Sequence, residues 1–336
     1  KYAQAKPFKD LPPLAALSEA RRLAERDGGP EIRRLSAKTI NKHVSFMRSI
    51  VGWANPTAQN PFAFASIKTA KKGAASRRGE DGGQTRRPFT DDELRRLFTS
   101  PVYAGFANAK ARFKPGGRML RDARFYVPLI AAYSGMRLEE ICQLRSEDIG
   151  FAEDFPCMFV RAGDGRRIKT ANAHRAVPIH PVLVDAGLLE HRDRMADDPS
   201  GLLFPELGFT RDGQPSPLGP RERHGDAIST WFGHYCTRVG LSDPALVFHS
   251  FRHGFIQRLF NTAGVEEAKV KAIVGHANEG ESHESYFRGY APGVLADTVG
   301  ALSYGIEDDL RAQLQNPSLS FARRYPAPRV RRSRSA

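Results

Sequence analysis

His249-Ser-Phe-Arg252 sets an imidazole and a guanidinium at i and i+3, on one face of a helix start. A guanidinium there can hold two oxygens of a phosphate, and a helix N-terminus adds a favourable dipole. Ser134-Gly-Met-Arg137-Leu-Glu-Glu140 puts a second arginine just past a helix break, with Glu140 three residues on and able to orient it. Gly275-His276 closes a helix: glycine suits the left-handed residue after the last turn, and histidine suits the negative end of the dipole. Lys169 falls in a predicted hairpin, and Tyr286 stands ten residues beyond His276. Taken singly, each has an ordinary structural explanation: a buried histidine, a surface ion pair, a solvated lysine, an exposed aromatic.

The elements that must carry these residues follow from periodicity and caps. Phe89-Thr90-Asp-Asp-Glu93-Leu94 reads as a capping box with Phe89 placed to staple Leu94, which opens a domain near residue 88. Met119 to Tyr133 is a largely apolar helix broken by Ser134-Gly135, and Leu138 to Leu144 resumes helical spacing. Met158–Val160, Gly163-Asp-Gly165 and Arg167–Lys169 predict strand, turn and strand, with Ala176–Ile179 as an edge strand that tolerates Pro178. Helices are expected at Ala227–Val239, Ser250–Asn261, Glu266–Val274 and Gly293–Leu314, the last acidic near its end. Near the front, Ser36 is a plausible N-cap, and Ile40, Val44, Met47 and Val51 recur at i, i+4, i+7 and i+11. Lys38, Lys42 and Ser45 repeat on another face, just after Arg33 and Arg34. The fold class is mainly α (α+β): an N-terminal helical domain and a mostly helical larger domain with a small antiparallel β-sheet.

Charge says what kind of partner such a chain meets. Over 336 residues, 51 Lys+Arg against 37 Asp+Glu give a net charge of +14, which favours a polyanion. Residues 1–90 hold 18 basic and 7 acidic side chains, and the last sixteen hold six arginines and no acid, flanking a body that nets −3. The charge assigns the front helices to a phosphate surface, with Lys38, Lys42, Arg33 and Arg34 as contacts, and the arginine tail to further phosphate contact. Residues 71–88 are Gly-rich and basic and read as a flexible linker. The organisation expected is therefore 1–70 helical, 71–88 linker, 89–315 larger domain and 316–336 basic tail. A composition of 40% hydrophobic and 26% charged residues is globular. No run of 18 apolar residues argues for a membrane span, and the first fourteen residues lack the apolar stretch of a signal peptide. Three scattered cysteines, Cys142, Cys157 and Cys236, fit neither a disulfide framework nor a zinc cluster, so a reducing cytoplasm is expected.

In this order the motifs resemble the tyrosine recombinase (phage integrase) family: Ser-Gly-Met-Arg-Leu-Glu-Glu, Ile-Lys-Thr, His-Ser-Phe-Arg-His, Val-Gly-His, then Glu-Ser-Tyr. The resemblance covers about Phe89 to Ile306 and extends more weakly to Leu35–Val44, which is similar to that family's helical core-binding domain. It implies catalytic roles for Arg137, Lys169, His249, Arg252, His276 and Tyr286, with Glu140 in support. Many members separate the histidine and the tyrosine by nine residues where this chain has ten, so Tyr290 stands as a rival nucleophile. Two guanidiniums would stabilise the charge gained by the phosphorane-like state, which accelerates attack. A phenol needs a base, for which His249 is the candidate. Lys169 would protonate the departing 5′-hydroxyl, and His276 would donate a hydrogen bond to the phosphate. The resemblance further implies double-stranded DNA as partner, a homotetramer in the synaptic complex, an accessory DNA-bending protein, and neither a metal nor another cofactor. The expected activity is site-specific cleavage and rejoining of DNA for a mobile element. A type IB topoisomerase-like relaxer and a DNA-binding protein with a vestigial site are the alternatives.

Overall fold

The structure, a computed structural model, describes residues 12, 15, 18, 19, 22, 37–56, 60–63, 65–66, 86–162, 174–208, 224–262, 264–275, 290–315 and 320–321, without the side chains of 37, 38, 320 and 321. The chain divides into two compact units, residues 1–84 and 85–336.

In the first unit, helix α1 spans Ala37–Ala54. Ile40, Val44 and Val51 are half-buried, whereas Met47, expected on the same face, is exposed. The reason is polar. Arg48 turns inward, donating from Nε to Phe62 O (2.9 Å) and from Nη2 to Ala65 O (3.1 Å), while Asn60 Nδ2 donates to Arg48 O (2.8 Å). The buried side is thus centred on Val44, Arg48 and Val51. Phe46, Ile50 and Trp53 form an exposed stripe that apolar spacing alone would have turned inward.

The second unit is mainly helical with one three-stranded antiparallel sheet. Helix α2 (Asp91–Phe98) begins with the predicted capping box: Glu93 N–H donates to the Thr90 hydroxyl, and Thr90 N–H to the Glu93 carboxylate. Phe89 is buried in the same core as Leu94, its ring stacked on Phe251 with centroids 4.8 Å apart. A short helix α3 (Pro101–Ala104) follows, then an irregular excursion and strand β1 (Arg118–Met119). Helix α4 spans Ala123–Ser134, starting four residues later than expected because Asp122 caps it by accepting from Arg124 N–H. Gly135 ends α4 in the left-handed region (φ 61°), and a Cβ there would lie 2.5 Å from the Phe255 ring, so both backbone and packing require glycine. Helix α5 is Leu138–Cys142.

Strands β2 (Ile149–Ala152), β3 (Phe155–Val160) and β4 (Arg175–Pro178) pair antiparallel in the order β2-β3-β4, with Ile149 opposite Met158 and Val160 opposite Arg175. The proline of β4 sits on an edge strand, as expected. The predicted turn and strand at 163–169 lie outside the described residues. Helices α6 (Pro181–Asp185), α7 (Leu188–Met195), α8 (Gly225–Arg238), α9 (Ser250–Phe260) and α10 (Glu267–Val274) follow. The expected single helix over 293–314 is two, α11 (Pro292–Gly300) and α12 (Glu307–Leu314). Between them Gly305 takes φ 67°, buried Tyr304 donates its hydroxyl to Ala132 O, and the Glu307 carboxylate accepts from the N–H groups of Tyr304 and Ile306. The acidic run Glu307-Asp-Asp309 therefore opens α12, at the positive end of its dipole, rather than closing a longer helix. Strand β5 (Ser320–Phe321) pairs parallel with β1.

Aromatic rings pack α9 against α2 and α8. Phe251 meets Phe89, Phe98, Phe232 and Phe248 with centroids 4.8–6.3 Å apart. Each such pair contributes about 0.5–1.5 kcal/mol beyond area burial, which fixes the helix whose first turn carries His249 and Arg252.

Candidate active site

Helix α10 ends in Gly275 at φ 67°, leaving its last carbonyls without helical donors. Three guanidiniums take them in succession. Arg175 Nε donates to Ile273 O (2.7 Å), Arg252 Nη2 to Val274 O (2.7 Å) and Arg137 Nη2, more loosely, to Gly275 O (3.4 Å). Arg252 also donates from Nη1 to Gly135 O (2.7 Å), which ties α9 to the turn that ends α4. The negative end of one helix thus gathers arginines from three distant stretches of chain.

Glu140 is a carboxylate within this cluster. It accepts from Arg137 N–H (3.0 Å), from Arg137 Nη1 (2.7 Å) and from Arg175 Nη2 (2.7 Å). Burial pushes its pKa up, but the charge and hydrogen bonds of Arg175, then the N–H and charge of Arg137, outweigh that and hold it at about 2. The arginines differ in exposure: Arg175 and Arg252 are 6% and 3% exposed, whereas the Arg137 side chain is 25% exposed and open to a ligand. Desolvation, then the charge of Arg137 and, more weakly, of Arg175, pushes Arg252 down to about 9, still cationic at neutral pH. A cation under that pressure gains from an anion placed beside it.

His249 immediately precedes α9, its ring in edge contact with that of His253 at 4.9 Å. Desolvation and the positive field of His253, Arg252, Arg86 and Arg137 lower its pKa to about 4, so the imidazole is neutral at pH 7 and able to take a proton. Arg137, Glu140, His249 and Arg252, four of the residues singled out from sequence, are thus brought to one place. Lys169, His276, Tyr286, Arg33 and Arg34 lie outside the described residues, as does the Lys38 side chain. Lys42 is exposed on α1, and Tyr290 is partly buried just before α11.

Two participants escaped the sequence reading. Arg175 stands 35 residues from its partner Glu140, at the head of an apolar strand, and no spacing links them. Glu139 accepts from His224 N–H (2.7 Å) and Gly225 N–H (2.9 Å), so the residue beside Glu140 fastens the start of α8 to α5. The doubled acid in Leu-Glu-Glu was the visible signal. Among the described residues no three His, Cys, Asp or Glu side chains are grouped to hold a metal ion, and no helix is long and apolar enough to cross a membrane.

The model of the phage integrase family matches residues 119–290, which contain every arginine of the cluster. Tyrosine recombinase XerA of Pyrococcus horikoshii is 29% identical over 161 residues, 47% of this chain and 47% of that protein. XerA of Thermococcus onnurineus is 25% identical over 160 residues, 47% of this chain and 48% of that protein. This chain spans about half the length of the curated relatives it matches. Among solved structures, the Tn1549 transposon integrase in complex with circular intermediate DNA covers 94% of this chain and 97% of its own at 17% identity and a TM-score of 0.46. The integrase from mycobacterium phage Brujita covers 93% of this chain and 86% of its own at 18% identity and a TM-score of 0.42.

Proposed function

We propose, from the premise that this chain belongs to the phage integrase family, that it cleaves and rejoins DNA strands at specific sites through a 3′-phosphotyrosyl intermediate. The convergence of Arg137 and Arg252 on the end of α10, one residue before His276, with neutral His249 within the field of both arginines, carries this reading. Arg137 and Arg252 bind the non-bridging oxygens of the scissile phosphate. Two terminal N–H groups of Arg252 are engaged by carbonyls, which leaves three of its five donors for the phosphate. The Tyr286 hydroxyl attacks phosphorus in line and gives its proton to His249. The bond to the 5′-oxygen breaks, Lys169 protonates that oxygen, and His276 donates a hydrogen bond to the phosphate. The tyrosyl ester conserves the energy of the bond it replaces, so a second 5′-hydroxyl reverses the step and completes exchange.

Strand exchange between two duplexes requires paired active sites, so four protomers on two DNA segments form the working assembly, assisted by an accessory DNA-bending protein and serving a mobile element. The front helix, through Lys38 and Lys42, supplies phosphate contacts together with Arg33 and Arg34, which precede it in sequence.

A nicked duplex that lets the 5′-hydroxyl fragment diffuse away tests the chemistry. The native chain and Tyr290→Phe should form a covalent protein–DNA adduct, and Tyr286→Phe none. Adduct from Tyr286→Phe and none from Tyr290→Phe would move the nucleophile to Tyr290. No adduct from the native chain on a duplex that it binds would leave a DNA-binding protein without strand cleavage. Relaxation without exchange between two sites would favour a topoisomerase.

A further inference from the structure

From Thr99 to Arg121 the chain carries five basic residues and no acid, within a larger body that is otherwise slightly acidic. The middle of this stretch, 105–118, is an excursion between α3 and β1 closed by its own backbone. Phe106 and Arg118 exchange both hydrogen bonds (2.7 and 3.1 Å), Ala107 N–H donates to Lys114 O (2.9 Å) and Gly116 N–H to Gly105 O (3.1 Å). A Cβ on Gly116 would lie 2.6 Å from Ala107 backbone, so the two limbs touch main chain to main chain. At the tip, the Asn108 side chain accepts from the N–H groups of Lys110 and Ala111.

The loop is fastened to the body by Arg112. Its guanidinium donates to both oxygens of Asp122 (2.8 and 2.6 Å), with the two side chains 4% and 3% exposed. Asp122 is also the cap of α4. One buried ion pair therefore joins the excursion to the helix whose other end is the Gly135–Arg137 turn. Lys110, Lys114 and Arg118 are exposed, and among the described residues no carboxylate pairs with any of them. A fourteen-residue irregular loop held this firmly, with its cations left to solvent, fits a binding role better than a passive connection. The chain end adds a second observation. Strand β5 pairs with β1 so that Ser320 lies opposite Arg118 and Phe321 opposite Met119, and the six arginines of the tail begin two residues later.

We propose that the 105–118 excursion is a docking surface for the phosphate backbone of duplex DNA, with Lys110, Lys114 and Arg118 as its contacts. This rests on the DNA-binding part of the proposed function and adds a contact outside its arginine cluster. Helix α4 is twelve residues long, so Asp122, which anchors the excursion, stands about 18 Å from the turn that ends the helix. Along B-form DNA at about 3.4 Å per base pair, a length of about 18 Å spans about five base pairs. Phosphates held there would set the angle at which the duplex crosses the arginine cluster, through a rigid helix rather than a hinge.

The test uses the full chain and a duplex of about 40 base pairs, long enough for both contacts. The triple variant Lys110→Gln, Lys114→Gln, Arg118→Gln should keep its melting temperature and lower the slope of log affinity against log salt by about 2.7, at about 0.9 per phosphate contact. In the native chain, duplex DNA should protect Lys110 and Lys114 from amine acetylation, read by mass spectrometry. An unchanged slope with both lysines still reactive would overturn the proposal. So would protection that grows with chain concentration in the absence of DNA, which would make the surface a contact with a second copy. Failure of the native chain to form a covalent adduct would defeat strand cleavage and leave this surface standing, because salt slope and acetylation read binding alone.

Discussion

Replacing Glu140 by glutamine removes a carboxylate that helps to balance the guanidinium cluster and leaves the shape intact. Arg175 and Arg252 then remain buried beside Arg137 without the charge of Glu140. A carboxyl held at about 2 rather than 4.5 is worth about 3 kcal/mol at neutral pH, at about 1.4 kcal/mol per pKa unit. Breaking a buried pair from one side costs about 3–5 kcal/mol by an independent route. Because the folded pKa lies below the unfolded one, this stability is fully present above pH 4.5 and is lost as pH falls through about 2. Urea unfolding of both chains across pH should therefore give a difference of about 3 kcal/mol at pH 7 that shrinks below pH 4.5. In melting temperature the neutral-pH loss is about 6–12 °C for a unit of this size. A difference under about 1 kcal/mol at pH 7, or one that does not change with pH, would refute the claim that Glu140 helps to balance the cluster.

Other consequences follow from the same geometry. Arg137→Lys and Arg252→Lys keep charge but lose the planar fork, and each should slow adduct formation about 10²–10³-fold in single-turnover trapping. Because His249 has a pKa near 4 in the free chain, adduct formation at subsaturating DNA that uses it as base should keep its rate as pH falls through 6.5 and decline only near 4; an acid limb at 6.5 would contradict the lowered pKa. Gly135→Ala forces a left-handed residue and a 2.5 Å contact with Phe255, so unfolding should show a loss of about 2 kcal/mol or more, and an unchanged melting temperature would contradict it. Shortening the chain at Asn316 should weaken DNA binding and reduce its salt slope by about 0.9 for each tail arginine that meets a phosphate.

What the sequence made legible was whatever is encoded locally. Thr90 and Glu93 announce a cap because their hydrogen bonds close within one turn. Arg137 and Glu140 announce an ion pair for the same reason. The helix expected over 293–314 failed because buried Tyr304 and its bond to Ala132 O, a contact 172 residues away, outweigh helical periodicity. Arg175 was invisible because its bonds to Glu140 and Ile273 exist only after strand, turn and helix have come together. The Met47 misreading is similar in kind: nothing in an apolar repeat warns that an arginine will take the inner face by binding carbonyls.

The clamp itself is tested most directly by taking the charge off the phosphate. On a duplex that the native chain cleaves, the scissile phosphate is replaced by an uncharged methylphosphonate, and adduct formation is followed for Arg137→Ala and Arg252→Ala. Both variants should be nearly inactive on the phosphate and regain most of their rate on the neutral linkage. Equal impairment on both linkages would mean that these guanidiniums do not act by neutralising the phosphate.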